Sequence, residues 1–237
     1  MTRINHLKEI ALSKKPFIIY KSDKGFNLYT NFSKKIILTN RNIENFINNI
    51  NKNKFKRKST DLFIGFFGYK ILNNLIGVKI KKQKNINFPK GIFYKPEKII
   101  KLSNKLDYKP LKVIKFDRNF KINLNQNSYS NIFNKFKKKI KSGETYQIKI
   151  CTKYKNSSEI DALDFFCRLT KSNIAPEAFM IKDKNYSIIS CSPENLISKK
   201  SNSITTKPIA GTLKKSKGIT KKKALDFFKR NIKETKE

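Results

Sequence analysis

The chain has 237 residues and carries 54 Lys and Arg against 17 Asp and Glu, a formal net charge of +37. Its 38% hydrophobic residues, with 19 Phe and 9 Tyr, exclude a disordered chain, and its length allows one large domain or two smaller ones. No apolar run approaches the ~20 residues a membrane helix needs, and Met1-Thr2-Arg3-Ile4-Asn5 opens no signal peptide.

Residues 16–40 read as three short strands, over 17–20, 26–29 and 35–39, with Ser22-Asp23-Lys24-Gly25 turning the first into the second. Asn40 can cap a helix over 41–50, where Ile43, Phe46, Ile47 and Ile50 recur at helical spacing. A charged loop over 51–59 follows. Leu62 to Tyr69 is then apolar on both faces, as a buried strand would be, and Gly65 and Gly68 within it suggest a close backbone approach. Extended segments are expected around 91–101 and 111–117, and the polar stretch from Lys121 to Ser130 marks a boundary between regions 1–125 and 126–237.

From Asn131, Ile132, Phe133, Phe136 and Ile140 form one helical stripe, which Gly143 ends. Thr145 to Tyr154 alternates as a strand, with Tyr146, Ile148 and Ile150 on one face and Gln147, Lys149 and Cys151 on the other. Ser158, with Asp161 three residues on, resembles a capping box that opens a helix through Leu163, Phe166, Cys167 and Leu169. Residues 178–182 and 186–191 read as a hairpin around Asp183-Lys184-Asn185, and a further strand covers 195–198. A loop over 205–218 leads to a last helix from Thr220, with Ala224, Leu225, Phe228 and Ile232 apolar. The fold class this implies is α+β.

The charge is a weaker functional signal than its size suggests. Only six of the 54 basic residues are Arg, and they are scattered, whereas base and phosphate recognition favours Arg forks. Lys is spread through nearly every segment and travels with 27 Asn and many Ile and Phe, residues whose codons are rich in A and T. The charge therefore reads as the composition of solvated faces, with selection for an acidic partner as the alternative. A basic nucleic-acid-binding protein is the remote alternative for the whole chain. Three cysteines, Cys151, Cys167 and Cys191, have no C-x-x-C spacing, which points to a reducing, cytoplasmic setting and away from a disulfide framework or zinc site.

Five motifs in order carry a resemblance. Gly65-Phe66-Phe67-Gly68-Tyr69 resembles a G-Y-x-[GS]-Y element, Gly143-Glu144-Thr145-Tyr146-Gln147-Ile148 a G-[DE]-x-[FY]-Q-V strand, and Ser192-Pro193-Glu194-Asn195-Leu196 an S-P-E-x-L turn. Thr206-Lys207-Pro208-Ile209-Ala210-Gly211-Thr212 is similar to a [TR]-P-I-A-G-T loop, and Lys233-Glu234-Thr235-Lys236-Glu237 to a K-E-x-x-E helix. Together they resemble the chorismate-utilising enzymes, which include anthranilate synthase component I, aminodeoxychorismate synthase component I, and isochorismate and salicylate synthases. The resemblance implies an anthranilate synthase component I-like fold of antiparallel or mixed sheets flanked by helices. Residues 1–125 would be its N-terminal α+β region and 126–237 the first half of the chorismate-binding catalytic domain. Family members continue beyond the K-E-x-x-E helix, with a His directly after its second Glu. The resemblance thus implies a C-terminally truncated chain, inactive alone.

The same resemblance assigns the site. Family enzymes hold the ring carboxylate of chorismate through a magnesium ion, a hard cation that takes carboxylate oxygens, which makes Glu234 and Glu237 the implied metal ligands. On the residues alone, that pair reads as a solvent-facing helix end. Members that add water to the ring carry a Lys where this chain has Gln147, and an amide cannot take a proton at neutral pH. Ammonia needs no such base, so Gln147 implies an amino-transferring enzyme fed by a glutamine amidotransferase partner. The backbone of Ile209, Ala210 and Gly211 and the hydroxyl of Thr212 would contact substrate or leaving group, Gly211 permitting close approach. Without the motif, the segment is an ordinary Pro/Gly turn.

Two products stay open. Asn173-Ile174-Ala175-Pro176-Glu177-Ala178-Phe179 resembles the N-x-A-P-[FY] segment of aminodeoxychorismate synthases, although Glu177 stands where an aromatic is expected, and it lacks the S-P-Y-M of the tryptophan-inhibited enzymes. Ile18-Ile19-Tyr20-Lys21-Ser22 is a loose relative of the regulatory L-L-E-S segment, with Lys21 in place of an acid. These favour 4-amino-4-deoxychorismate, for folate biosynthesis. Ala210, where some aminodeoxychorismate synthases carry a nucleophilic Lys, fits the alternative of anthranilate plus pyruvate, for tryptophan biosynthesis.

Overall fold

The computed structural model describes residues 6–52, 61–71, 76–77, 88–110, 117–209, 211–214, 216 and 218–232. In chain order the elements are α1 (His6–Ser13), β1 (Phe17–Ser22), β2 (Gly25–Ile37), α2 (Ile43–Lys52), β3 (Ile64–Phe67), β4 (Gly91–Leu102) and β5 (Lys121–Ile122). There follow α3 (Gln126–Lys141), β6 (Tyr154–Lys155), α4 (Ala162–Ser172), β7 (Glu177–Lys182), β8 (Ser187–Ser192), β9 (Asn195–Lys200), β10 (Ser203–Lys207) and α5 (Lys221–Arg230). This mixture of helices and antiparallel ladders is α+β, and no described helix is long and apolar enough to cross a membrane. The chain divides into two compact units, one of Met1–Asp107 with Phe166–Glu237 and one of Tyr108–Phe165.

The first unit is built on a six-stranded sheet of order β3-β4-β2-β1-β7-β8, antiparallel at every step. Its centre forms because β1, β2, β4 and β7 carry runs of apolar residues that are buried on both faces of the sheet. Ile18, Tyr29, Ile92, Tyr94 and Ile181 make one buried cluster. Phe17, Ile19, Phe26, Leu28 and Met180 are buried as well, and Phe26 meets Phe166 of α4 edge-on at 6.0 Å. The expected hairpins at 22–25 and 183–185 are both present. The strands expected over 26–29 and 35–39 are one strand, β2. Asn31 takes a left-handed φ of 51° and the register with β4 shifts between Phe32 and Lys34, so a bulge carries the chain through a stretch that lacks alternation.

Helix α2 starts at Ile43 rather than 41, and Asn42 brackets its start, taking the Thr39 N–H at 2.7 Å and donating to the Ile37 carbonyl. Asn40, the expected cap, instead accepts from Lys90 Nζ at 3.2 Å. The α2 stripe packs as predicted, with Ile43 and Phe46 buried against Leu38, Ile71 and Phe93. The strand expected over 62–69 is shorter and less buried. Among the described residues β3 pairs on one side only, with β4, and its residues are half-buried or exposed because it is the edge of that sheet. The close approach at its glycine is real: a Cβ on Gly65 would overlap the Ile92 carbonyl oxygen and lie 2.7 Å from Phe93 Cα. Of the extended segment expected over 111–117, residues 111–116 lie outside the described residues.

The second unit carries α3, which begins five residues before the predicted start, at a cap where Asn125 Oδ1 takes the Ser128 N–H at 2.8 Å. It ends as predicted, with Gly143 at φ 77° following Ser142. Thr145 to Lys153 forms no strand. A period-two pattern names faces but supplies no ladder partner, and among the described residues the ladder here is confined to Tyr154 and Lys155, with Ile122 and Lys121. Tyr146 is 91% exposed in consequence. The expected capping box is replaced by a single cap. Asp161 itself accepts the N–H groups of Leu163 and Asp164 at 2.9 and 3.0 Å, while Ser158 Oγ takes the Asp117 N–H.

Candidate functional site

A connected polar structure outside the sheet core grows from the end of β8. Pro193 lacks the N–H that would continue the β8 ladder, so Ser192-Pro193-Glu194 steps the chain directly into β9. Ser192 Oγ closes this turn on the Glu194 carbonyl at 3.2 Å. β9 and β10 then pair as a two-stranded hairpin, turned at Ser201 with φ 52°. The sequence reading placed residues 205–207 in a loop, whereas they belong to β10, whose Ile204-Thr205-Thr206 has the β-branched side chains a strand favours.

That pairing decides where the next segment lies. Lys207, the last residue of β10, stands opposite Asn195, the first of β9, after a register shift between Thr205 and Lys207. Thr206 Oγ1 donates to the Leu196 carbonyl at 2.8 Å. The loop that starts at Pro208 is therefore returned to the Ser-Pro-Glu turn, and the Ile209 N–H donates to Glu194 Oε1 at 3.4 Å. Two motifs fifteen residues apart thus form one structure. Gly211 sits at φ 62°, a left-handed conformation that a side chain would strain. Ile209 is 52% exposed and Thr212 is exposed, so the loop presents its groups outward. Ala210 lies outside the described residues.

Beneath the turn lies a carboxylate that the sequence reading noted only as a departure. Glu177 opens β7 opposite Ser192. One of its oxygens accepts a hydrogen bond from the hydroxyl of Tyr20 on β1, and the other accepts from Asn195 Nδ2 at 3.0 Å. Burial, and then the hydrogen bond and charge of Glu177, push the Tyr20 phenol well above its ordinary range. Asn195 Oδ1 in turn accepts from Ser198 Oγ at 3.0 Å. The signal that could have found this network is the charge at the head of an otherwise apolar strand, Glu177-Ala178-Phe179-Met180-Ile181.

Gln147 lies in the second unit, exposed, on a stretch that is not a strand. Ile209, Gly211 and Thr212 lie together in the first unit. Close by Gln147 in sequence, the Glu144 carboxyl is held below its usual range by the hydrogen bond and charge of Lys139 and by Ser142. Glu234 and Glu237 lie outside the described residues, and among the described residues no three of His, Cys, Asp and Glu gather as a metal site. As a donor set, two carboxylates three residues apart still suit magnesium, which takes hard oxygen ligands. An apolar groove of about 420 Å³ between α2 and β3, lined by Ile47, Ile50, Leu62, Phe63, Phe67 and Phe93 with Asp61, offers no comparable chemistry.

A family model described as chorismate binding enzyme matches residues 11–237. Among individual proteins, the chain is similar to aminodeoxychorismate synthase component 1 of Salmonella typhimurium, 32% identical over 91 residues, which are 38% of this chain and 20% of that protein. It is similar to the enzyme of the same name from Bacillus subtilis, 29% identical over 100 residues, 42% of this chain and 21% of that protein. It is also similar to anthranilate synthase component 1 of Buchnera aphidicola subsp. Rhopalosiphum padi, 34% identical over 113 residues, 47% of this chain and 21% of that protein. The matched stretches thus span about a fifth of each relative's length.

Proposed function

This chain belongs to the family of chorismate binding enzymes, and from that premise we propose that it is the large subunit of an aminating chorismate synthase. The reaction joins chorismate and ammonia to give 4-amino-4-deoxychorismate and water. The ammonia comes from a glutamine amidotransferase partner, in the cytoplasm, and the fold is that of component I, with 126–237 contributing to the catalytic domain. The observation that carries the reading is Gln147, an amide where water-adding members have a base. Relatives named component 1 support a two-component assembly.

Each residue then has a task. The loop 209–212, held to Glu194 through the Ile209 N–H, presents backbone groups and the Thr212 hydroxyl to the substrate, and Gly211 keeps that backbone approachable. Gln147 orients by hydrogen bonding and takes no proton. Glu234 and Glu237 would hold magnesium, which anchors a substrate carboxylate and polarises a departing hydroxyl when bound. Ala210 favours a second reading, anthranilate synthase, because it supplies no nucleophile for a covalent route.

The test is an assay of the protein expressed from its complete natural coding sequence, with chorismate, ammonium and magnesium, followed by chromatographic identification of the product. Aminodeoxychorismate supports the first reading and anthranilate the second. Chorismate left unconsumed, together with nucleic-acid binding that weakens steeply with salt, would overturn both.

A further inference from the structure

We infer that Glu177 is a positioning residue, whose carboxylate anchors the β9–β10 hairpin to the central sheet and so holds the start of the following loop, Pro208 and Ile209, in place. The inference rests on the reading of that loop as the substrate loop. A carboxylate set at the head of an apolar strand costs desolvation free energy unless donors meet it. Glu177 has one donor for each oxygen, and the two donors lie on different parts of the fold. Tyr20 is on β1, inside the six-stranded sheet, where it packs against the buried cluster of Ile18, Tyr29 and Ile181. Asn195 is the first residue of β9, outside that sheet.

The hairpin needs such an anchor. Two strands alone are marginal in water, and Leu196, Ile197 and Ile204 are 83%, 62% and 64% exposed, so little apolar burial holds this ladder down. Asn195 also stands opposite Lys207, directly before the loop, while the adjacent Glu194 takes the Ile209 N–H. Residues 194 and 195 thus hold both the root and the first turn of the loop, and Glu177 holds Asn195. Beside the covalent step from β8 through Pro193, restraint passes from Tyr20 through Glu177 to Asn195 by hydrogen bonds.

The test is amide hydrogen exchange by mass spectrometry on the protein expressed from its complete natural coding sequence, with chorismate turnover measured alongside. Glu177→Leu leaves Asn195 Nδ2 and the Tyr20 hydroxyl without their acceptor. Exchange across 195–207 should then quicken about tenfold, the size expected for losing charge-assisted hydrogen bonds, while β1 and β2 exchange as before. Glu177→Gln should restore slow exchange, since an amide can accept from Asn195 and donate to the tyrosine oxygen. Should Glu177→Leu fail to fold, Asn195→Ala on the half-buried hairpin root gives the same readout. Exchange across 195–207 that is unchanged in Asn195→Ala, or that Glu177→Gln does not slow, overturns the anchor even with turnover intact. An unsubstituted protein that consumes no chorismate sinks the substrate-loop reading separately, whatever the exchange shows.

Discussion

Lys35 Nζ lies 2.6 Å from Asp183 Oδ2, joining β2 to the β7–β8 turn across the intervening strand β1. Asp183 is 5% exposed and Lys35 41%. Burial alone would push the Asp183 carboxyl up, but the Lys35 hydrogen bond, the Lys184 N–H, the nearby Tyr94 hydroxyl and the Lys35 charge together bring it below its ordinary value. Burial pushes the Tyr94 and Tyr186 phenols above their usual range, and neither hydroxyl meets hydrogen-bond geometry. The pair gives a nearly fully buried carboxylate a cationic partner at this end of the sheet.

Lys35→Met should therefore cost about 2 kcal/mol near pH 7, below the figure for a fully buried pair because Lys35 is partly solvated. The sign of its pH dependence follows from the two states. With Lys35 present the folded carboxyl sits below its unfolded value, so its contribution is complete above that value and is lost as pH falls through the folded one. Without Lys35 two of the contacts that lower it are lost and burial weighs more heavily, so the folded carboxyl moves up and the penalty shrinks as acid protonates Asp183. Urea unfolding of both proteins from about pH 7 down to about pH 2 checks this. A gap of constant size would show that the pair does not act through charge.

Gly65 and Gly143 should respond differently to alanine. A Cβ at Gly65 meets the Ile92 carbonyl and the Phe93 Cα, backbone that cannot move without parting β3 from β4, so Gly65→Ala should cost about 3 kcal/mol. At Gly143 nothing lies within 4 Å and only the φ of 77° opposes a side chain, for about 1 kcal/mol. Thermal unfolding of the two variants measures the difference, and equal losses would contradict the close approach.

The elements legible in the sequence were those whose signal is local. Ser22 to Gly25 and Asp183 to Asn185 announce their turns, and the spacing of Ile43, Phe46 and Ile47 announces α2, because a few neighbouring residues decide each. What failed depended on partners. Thr145 to Lys153 has the alternation of a strand and no ladder partner among the described residues, and Leu62 to Tyr69 has the apolarity of a central strand at an edge position. In the site, the motifs were legible singly, but the hydrogen bond from Ile209 to Glu194 depends on the β9–β10 register, which no period encodes. Glu177 was visible only as a mismatch, since its meaning lies in Tyr20, 157 residues away.

The two candidate caps of α4 make a direct contrast. Asp161 accepts the Leu163 and Asp164 N–H groups and also the Tyr108 hydroxyl at 3.0 Å. Asp161→Ala should destabilise the start of the helix by about 1 to 2 kcal/mol. Ser158→Ala should leave the helix start intact, because its hydroxyl serves the Asp117 N–H instead. Amide exchange at residues 162–166 separates the two, and faster exchange in Ser158→Ala would restore the capping-box reading.

Under the proposed function, the sharpest chemical prediction concerns Gln147 and Glu237. Gln147→Lys places an amine where the amide stands, so in the protein expressed from its complete natural coding sequence amination should fall about tenfold while addition of water to the ring rises. Glu237→Ala removes one hard oxygen ligand, and the magnesium concentration giving half-maximal rate should rise about ten- to a hundredfold, with chorismate binding weakened in step. Titrating magnesium at fixed chorismate reads the second effect, and product analysis reads the first. Rates and magnesium demand that match the unsubstituted protein in both variants would remove these residues from the chemistry. A shift in magnesium demand without a change of product in Gln147→Lys would keep the metal pair and return Gln147 to the role of an exposed amide.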